Sequence, residues 1–153
     1  MDLESPTYYV SLDMPTHAQN GAASTFADHP LRICIVEDSL AVVEALSEQL
    51  NELPDVEVVG TADSEATGVA LLRNTVYDVA ILDIQLKIGT GIGVLRTIAN
   101  DVEPATKPTK MIFSNYIEGE YRSVAARWGA QYFFDKTTDT QSLLDTIEQL
   151  AGH

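Results

Sequence analysis

Basic residues and cysteine are scarce in this chain. It contains 9 Lys and Arg residues against 23 Asp and Glu residues, and its net charge is −14. Such a surface repels phosphate backbones, which argues against direct nucleic-acid binding. The single cysteine, Cys34, lies inside an apolar run, so it cannot form an internal disulfide and is expected in the core. The three histidines all lie near the termini, and no zinc-binding spacing can be assembled from them.

Long hydrophobic runs and a basic N-terminal segment are also missing. No apolar stretch approaches the roughly 18–20 residues that cross a membrane. The first 30 residues contain no Lys or Arg, so the basic start of a secretory signal is absent. We therefore expect a cytoplasmic protein without a membrane partner. With 153 residues, of which 45% are hydrophobic, the chain is long enough for one domain with a full core.

The chain divides into two regions of different composition. Residues 1–30 scatter Ser, Thr, Pro, Asn and Gly without apolar period, and they carry acidic residues but no basic ones. This composition predicts an acidic, flexible N-terminal tail. From residue 31 the apolar pattern becomes regular, which predicts a single domain over residues 31–153.

The regular region alternates two kinds of apolar pattern. Apolar residues recur at three- and four-residue intervals, as at Leu40, Val43, Leu46 and Leu50, which is typical of helices. Five strands alternating with five helices predict a doubly wound α/β fold with a parallel sheet. In such a sheet ligands bind outside the carboxyl ends of the strands. The apolar runs predicted as strands are residues 31–36, 56–62, 77–84, 110–114 and 130–134.

Polar side chains stand where four of these strands end. Glu37 and Asp38 follow the first strand, Asp83 lies at the end of the third, Ser114 closes the fourth, and Lys136 comes just after the fifth. Three carboxylates at one edge repel one another, by roughly 4 kcal/mol per pair at about 4 Å and an effective dielectric constant of about 20. Carboxylate oxygens are also the ligands that Mg²⁺ prefers. The sequence therefore predicts that the three carboxylates bind Mg²⁺, or Mn²⁺ in its place.

The same residues are suited to phosphoryl chemistry. A carboxylate-bound Mg²⁺ usually neutralises phosphate oxygens, and Asp83 can act as a nucleophile that forms an acyl phosphate. Lys136 can bind one phosphoryl oxygen as a point charge, and the Ser114 hydroxyl another. Each residue alone has an ordinary explanation, since Asp38 or Ser39 can cap a helix and Asp83 can end a strand in a turn. Their coincidence at one edge favours a phosphoryl site.

The motifs "IVEDS", "AILDIQL", "MIFSNY" and "YFFDK" stand in this order at the predicted strand ends. Over residues 31–150 the sequence resembles the receiver domain of bacterial response regulators, of the stand-alone, chemotaxis-regulator type. The resemblance implies a flavodoxin-like sheet with strand order 2-1-3-4-5. It also implies that Asp83 accepts a phosphoryl group from a phosphohistidine of a sensor kinase or a phosphotransfer protein.

The resemblance assigns further roles around this site. It adds the backbone carbonyl of Gln85 as a Mg²⁺ ligand, and it makes Ser114 and Phe133 the switch residues. The fourth helix, fifth strand and fifth helix, about residues 118–150, become the surface that signals to an output protein in trans. Because the chain stops after the fifth helix, we expect no attached output domain.

Other positions tune the chemistry or depart from the family pattern. By the resemblance, Gln85 and Tyr116 tune hydrolysis of the phosphoryl group and Asn115 narrows access to Asp83, so we expect slow to moderate dephosphorylation. Gly91 matches the glycine that follows the phosphorylated loop. Lys87 departs from the family pattern, since it stands where many members have proline. Thr137 also departs, since a proline commonly follows the lysine, and so does Asn115, where a smaller residue is usual.

Three rival functions use similar features. A phosphatase of the haloacid-dehalogenase type needs a second acid two residues after its nucleophile, where this chain has Gln85. A flavin-binding module needs a phosphate loop after the first strand, where this chain has the acidic pair. The "GTGIG" run at 89–93 follows the third strand and lacks the spacing of a nucleotide loop, so no cofactor-binding loop is predicted.

A receiver that binds partners without phosphorylation remains an alternative function for this chain. We expect no enzyme activity beyond self-phosphorylation and autodephosphorylation.

Overall fold

The protein was analysed as a computed structural model that describes residues 29–101 and 107–153. The predicted N-terminal tail lies outside the described residues, apart from His29 and Pro30. From Leu31 onward the described residues alternate strands and helices. The strands are β1 (Leu31–Val36), β2 (Val56–Ala62), β3 (Val79–Leu82), β4 (Thr109–Ser114) and β5 (Ala130–Asp135). The helices are α1 (Leu40–Asn51), α2 (Glu65–Asn74), α3 (Gly91–Ala99), α4 (Glu120–Arg127) and α5 (Thr140–Leu150).

All five strands are parallel and lie in the order β2-β1-β3-β4-β5, which confirms the predicted fold. The first two strands have the predicted bounds, but β3 is shorter than the predicted 77–84. At its start the Asp78 carboxylate accepts hydrogen bonds from the backbone N–H and the guanidinium of Arg32. The Asp78 side chain therefore links the residues just before β3 to Arg32 of β1. The order reverses between β1 and β3, whose carboxyl ends flank the switch point.

The sheet is covered by helices on both faces, and β1 shows why. Its odd-numbered residues, such as Ile33, pack in one core with residues of α1 and α5. Cys34 and Val36 pack in a second core with residues of α2, α3 and α4. A strand buried on both faces reads as a continuous apolar run. Among the described residues, no helix has the length and apolar character needed to cross a bilayer.

The thiol of Cys34 is predicted to be chemically inert in the native protein. The residue is fully buried in the second core, and burial raises its thiol pKa to about 11, compared with about 8.5 for an exposed thiol. The thiolate is the reactive form. At mildly alkaline pH we expect alkylation to be at least about a hundredfold slower than in the denatured chain. Timed labelling followed by intact-mass analysis, with and without urea, measures this ratio. Rapid stoichiometric labelling of the native protein would contradict the prediction.

Candidate functional site

The acidic pair lies where β1 gives way to α1. Glu37 is 4% exposed, and its N–H donates to the carbonyl of Ala62 at 2.8 Å. The Ser39 hydroxyl accepts from the N–H of Val42 and caps α1, while the Ser39 N–H donates to Glu37 Oε2 at 2.9 Å. Helix capping by Ser39 is therefore confirmed. The acidic pair is nevertheless not a solvated turn, because the Glu37 carboxylate is buried.

Asp83 is the first residue after β3 and lies at the centre of the cluster. Its side chain is largely buried, and its N–H donates to the carbonyl of Val36 at 3.0 Å. The hydroxyl of Ser114, which is fully buried at the end of β4, donates to Asp83 Oδ1 at 2.6 Å. The ammonium of Lys136 lies 2.7 Å from Asp83 Oδ2. Asp83 Oδ1 also accepts a longer hydrogen bond from the N–H of Gln85 at 3.4 Å. Asp83 Oδ2 keeps a further lone pair, so the group can still act as an acceptor or a nucleophile.

Lys136 neutralises part of the cluster's negative charge. Its Nζ lies 2.6 Å from Glu37 Oε1 as well as 2.7 Å from Asp83 Oδ2. Burial alone lowers the pKa of Lys136, but its hydrogen bonds to these two carboxylates outweigh burial and raise the pKa overall. Burial raises the pKa of Glu37, although the bonds from Lys136 and Ser39 oppose that rise. The lysine is therefore held in its charged form between two buried acids.

The three carboxylates fit a hard divalent cation. Glu37, Asp38 and Asp83 each offer an oxygen, and these oxygens lie within 4.8 Å of one another. Ligands at about 2.1 Å from one Mg²⁺ lie at most about 4.2 Å apart, so the arrangement is close to what a single ion requires. A cleft of about 360 Å³ opens beside Glu37 and Asp38, which provides room for the waters that Mg²⁺ retains.

The departure at Lys87 has a structural consequence at this site. The backbone N–H of Lys87 donates to Asp38 Oδ2 at 2.5 Å. Proline has no N–H, so the residue common in the family could not make this bond. The hydrogen bond ties the β3–α3 loop, which we define as residues 83–90, to the acidic pair.

The remaining predicted residues lie around the cluster. The N–H of Tyr116 donates to Ser114 Oγ at 3.2 Å, while its exposed ring packs edge-on against Tyr121, with centroids 5.7 Å apart. The Asn115 side chain accepts from the Thr137 hydroxyl at 3.4 Å. The structure therefore places Asn115 and Tyr116 in the β4–α4 loop, next to Ser114.

Phe133 lies on β5, three residues before Lys136, and it is partly buried against the second core. The guanidinium of Arg122 lies over its ring at 4.4 Å from the centroid, a cation–π arrangement. The ring is thus in contact with α4. The sequence reasoning missed this partner, since nothing in the periodicity of α4 distinguishes Arg122 from a solvated residue.

A second missed contributor is Glu65, the first residue of α2. Its Oε1 accepts from the N–H of Thr90 at 2.9 Å, at the end of the β3–α3 loop. The available signal in the sequence was the glycine-rich run at 89–93, which also resembles part of a nucleotide loop.

The parallel sheet and the acidic cluster at its carboxyl edge define a receiver-like protein. The sequence profile of the response regulator receiver domain matches residues 33–148, and the chain belongs to this family. Receiver domains are signalling modules of two-component response regulators. The family assignment made from the motifs is therefore confirmed.

The curated relatives are longer proteins, and only part of each aligns with this chain. A protein-glutamate methylesterase/protein-glutamine glutaminase of Bradyrhizobium diazoefficiens is 35% identical over 94 residues, which cover 61% of this chain and 24% of that protein. The transcriptional regulatory protein MctR of Rhizobium johnstonii is 25% identical over 122 residues, which cover 80% of this chain and 56% of that protein. This chain thus spans about a quarter and about half of their lengths. The activities in their names describe those whole proteins.

Solved structures agree on the fold. The response regulator domain of CheB from Thermotoga maritima gives a TM-score of 0.71 at 23% identity, covering 82% of this chain and 98% of that one. A CheY-like receiver domain protein from Methanospirillum hungatei gives 0.69 at 24% identity, covering 80% of this chain and 94% of that one. At these identities the likeness establishes the fold alone.

Proposed function

We propose that this protein accepts a phosphoryl group on Asp83 from a phosphohistidine of a sensor kinase or phosphotransfer protein. The observation that carries the proposal is the largely buried Asp83 carboxylate, which receives a hydroxyl donor at 2.6 Å and an ammonium at 2.7 Å beside two further acids. A turn or a purely structural cluster does not need this combination of donors. We also propose residues 31–153 as the receiver domain.

The transfer follows from the positions of these groups. A carboxylate oxygen of Asp83 attacks phosphorus, the O–P bond forms, and the N–P bond to the donor's imidazole breaks with its electron pair passing to the imidazole nitrogen. Glu37, Asp38, Asp83 and the Gln85 carbonyl would hold Mg²⁺, which would neutralise charge on the phosphoryl oxygens. Lys136 is near enough to Asp83 to bind one of these oxygens, and its compact positive charge is suited to this role.

The signal begins at Ser114. Its hydroxyl donates to Asp83 in the unphosphorylated state, and we propose that it turns to a phosphoryl oxygen after transfer. Ser114 on β4 pairs directly with Asp135 on β5, the strand that carries Phe133. Because Phe133 contacts Arg122 of α4, a change at the ring reaches the surface formed by α4, β5 and α5. We propose that an output protein reads this surface, about residues 118–150.

Residues close in sequence to Asp83 and Ser114 are proposed to control the rate at which the phosphoryl group is hydrolysed. We propose that Gln85 and Tyr116 tune hydrolysis and that Asn115 limits access. Gln85 and Tyr116 are both exposed, and each lies two residues beyond a group that touches the phosphoryl site. The hydrogen bond between Thr137 and Asn115 supports a position of Asn115 between the β4 and β5 loops.

Phosphoryl acceptance is tested by intact-mass analysis after incubation with acetyl phosphate, with and without Mg²⁺. We expect a gain of one phosphoryl group that requires Mg²⁺ and is lost in Asp83→Asn. Asp135→Asn is the matched control, because Asp135 lies at the same sheet edge and its Oδ1 accepts from the Thr137 N–H at 2.7 Å, which an amide oxygen can also do. This variant should be phosphorylated normally.

Two outcomes count against the proposal. Retention of the modification in Asp83→Asn would place the acceptor elsewhere. A failure of the wild-type protein to accept phosphate from both acetyl phosphate and a phosphorylated histidine kinase would favour the receiver that binds partners without phosphorylation.

A further inference from the structure

We propose that Glu65 is a positioning residue for the phosphoacceptor loop. Its carboxylate, on α2, fixes the β3–α3 loop in the arrangement that binds Mg²⁺ and accepts the phosphoryl group. This inference deepens the proposed function and rests on it. Glu65 acts through Thr90 and the loop backbone, so its role is to place other groups rather than to react.

Glu65 holds the loop by two independent hydrogen bonds. Its Oε1 accepts from the N–H of Thr90 at 2.9 Å, and its own N–H donates to the carbonyl of Ile88 at 3.0 Å. A backbone bond of this kind survives any substitution except proline. The side-chain bond is therefore the part that a substitution can remove selectively.

The contact at Thr90 is transmitted to the site across a narrow turn. Thr90 pairs with Gln85 in an antiparallel bridge, which is flanked by hydrogen bonds from Leu86 N–H to Gly89 O at 3.3 Å and from Gly91 N–H to Ile84 O at 2.8 Å. In this pattern the N–H of Thr90 points away from Gln85, which leaves it available to Glu65. Gln85 supplies the carbonyl proposed as a Mg²⁺ ligand.

The other side of Gln85 reaches the phosphoacceptor itself. The Gln85 N–H donates to Asp83 Oδ1 at 3.4 Å. The orientation of the peptide groups around Gln85 therefore affects both the carbonyl expected to bind the cation and the carboxylate that attacks phosphorus. If Thr90 were displaced, both the Gln85 carbonyl and the Asp83 carboxylate would change orientation.

Small residues make the space that the Glu65 carboxylate fills. A Cβ atom added at Gly93 would lie 2.4 Å from the carboxylate carbon and from both carboxylate oxygens, and one added at Gly89 would lie 2.3 Å from Glu65 Cβ. The carboxylate thus occupies the N-terminal end of α3, where the helix dipole favours negative charge. The glycines of the "GTGIG" run are thus explained by the space that the partly exposed Glu65 carboxylate needs.

The competing explanation is an ordinary acidic residue in the first turn of α2, where Asp and Glu stabilise a helix through its dipole. That role predicts a lower melting temperature on substitution but no change in Mg²⁺ affinity. The two explanations therefore separate in the Mg²⁺ titration.

The test compares Glu65→Ala and Glu65→Gln with Arg73→Ala. Arg73 lies at the other end of α2 and binds Asp101, beyond the end of α3, at 2.9 and 3.0 Å, so the control breaks another link between the same two helices. The Mg²⁺ half-saturation concentration is measured by thermal shift and by calorimetry, and the initial rate of phosphorylation by acetyl phosphate is then followed against Mg²⁺.

For Glu65→Ala we expect about a tenfold rise in the Mg²⁺ half-saturation concentration, the size typical of lost groups that orient metal ligands. Phosphorylation should be slow at low Mg²⁺ and recover as Mg²⁺ approaches saturation. Glu65→Gln should give a smaller shift, because its amide oxygen can still accept from Thr90. Arg73→Ala should lower the melting temperature and leave the Mg²⁺ titration unchanged.

An unchanged Mg²⁺ titration in a folded Glu65→Ala or Glu65→Gln variant would overturn the inference, as would an equal shift in Arg73→Ala. Because Glu65→Gln preserves size, it supplies the test if the alanine variant does not fold. A wild-type protein that binds Mg²⁺ but accepts no phosphoryl group would reject the proposed function, while the titration still decides the role of Glu65. A wild-type protein that binds no Mg²⁺ would overturn both.

Discussion

Replacing Lys136 with methionine should lower the free energy of unfolding by about 3 kcal/mol in the absence of divalent cations, and Mg²⁺ should restore most of that loss. Methionine keeps an unbranched apolar stem and removes the ammonium. What remains are two buried carboxylates, Glu37 and Asp83, that no longer share a cation.

The magnitude follows from burial and geometry. The Lys136 ammonium lies 2.6 Å from Glu37 and 2.7 Å from Asp83, whose side chains are 3% and 8% exposed. Removing one partner of a buried ion pair costs about 3–5 kcal/mol. Lys136 itself is 16% exposed, and some access of water to the site places the expected loss at the lower end of this range.

The loss should also depend on pH in a defined direction. Lys136 opposes the rise in the Glu37 pKa that burial causes, so its removal raises that pKa further. A carboxyl group whose pKa is higher in the folded than in the unfolded state contributes most to folding stability at low pH. That contribution is lost as pH rises through the folded-state pKa. The variant should therefore be closest to wild type below the ordinary pKa of glutamate, and the difference should widen as pH rises to neutrality.

Urea denaturation in EDTA and in saturating Mg²⁺ measures these effects. Without the ammonium the three carboxylates attract a cation more strongly, so the stabilisation by Mg²⁺ should be larger in Lys136→Met than in wild type. Lys87→Met is the control, because Lys87 is exposed and the substitution keeps the backbone N–H that binds Asp38. A loss that Mg²⁺ leaves unchanged would show that Lys136 stabilises the fold by packing rather than by charge.

The fold could be predicted because its main determinants are local. In the run "RICIV" every residue after Arg32 is apolar, and the structure places Ile33 in one core and Cys34 in the other. Parallel strands buried on both faces require helices on both faces. The bounds of β3 were less predictable, because Asp78 accepts a hydrogen bond from Arg32, a residue distant in sequence.

The membership of the acidic cluster could also be predicted, because strand ends in a parallel sheet share one edge. The balance of charge within the cluster could not. The sequence predicts repulsion among three carboxylates that a cation offsets, but it does not show which carboxylates the lysine contacts. In the structure the Lys136 ammonium contacts two of the carboxylates, and the Lys87 N–H binds the third, that of Asp38.

The contacts between loops left little trace in the sequence. The bond from Thr90 N–H to Glu65 joins residues 25 positions apart, and it depends on the direction of one backbone N–H group. Neither apolar periodicity nor residue spacing encodes such a direction. Only the small residues that leave room for the carboxylate are visible in the sequence.

Gly91→Ala should be the most damaging conservative change in the β3–α3 region. Gly91 is the first residue of α3, where alanine would ordinarily stabilise a helix by about 0.5–1 kcal/mol over glycine. A Cβ atom at this position would lie 2.0 Å from the carbonyl oxygen of Asp83 and 3.0 Å from its carbonyl carbon. These are backbone atoms, which no rotamer change can move aside.

The clash should outweigh the helix preference. The Gly91 N–H donates to the carbonyl of Ile84 at 2.8 Å, so the start of α3 cannot shift without breaking this bond. We expect the free energy of unfolding to fall by about 3 kcal/mol, the upper range for forcing extra atoms into a packed region. Phosphorylation of Asp83 should be strongly slowed, because the residue whose backbone must move is the phosphoacceptor.

Gly60→Ala provides the matched comparison. Its added Cβ would lie 2.6 Å from Leu71 Cδ1, the end of a flexible side chain, and Gly60 lies within β2 at a distance from the phosphoacceptor loop. This variant should lose about 1 kcal/mol and accept phosphate at the wild-type rate. Urea denaturation and acetyl phosphate labelling of both variants decide the matter. Equal stability losses, or normal phosphorylation of Gly91→Ala, would mean that the Asp83 backbone can yield and that the close approach of α3 does not hold the phosphoacceptor in place.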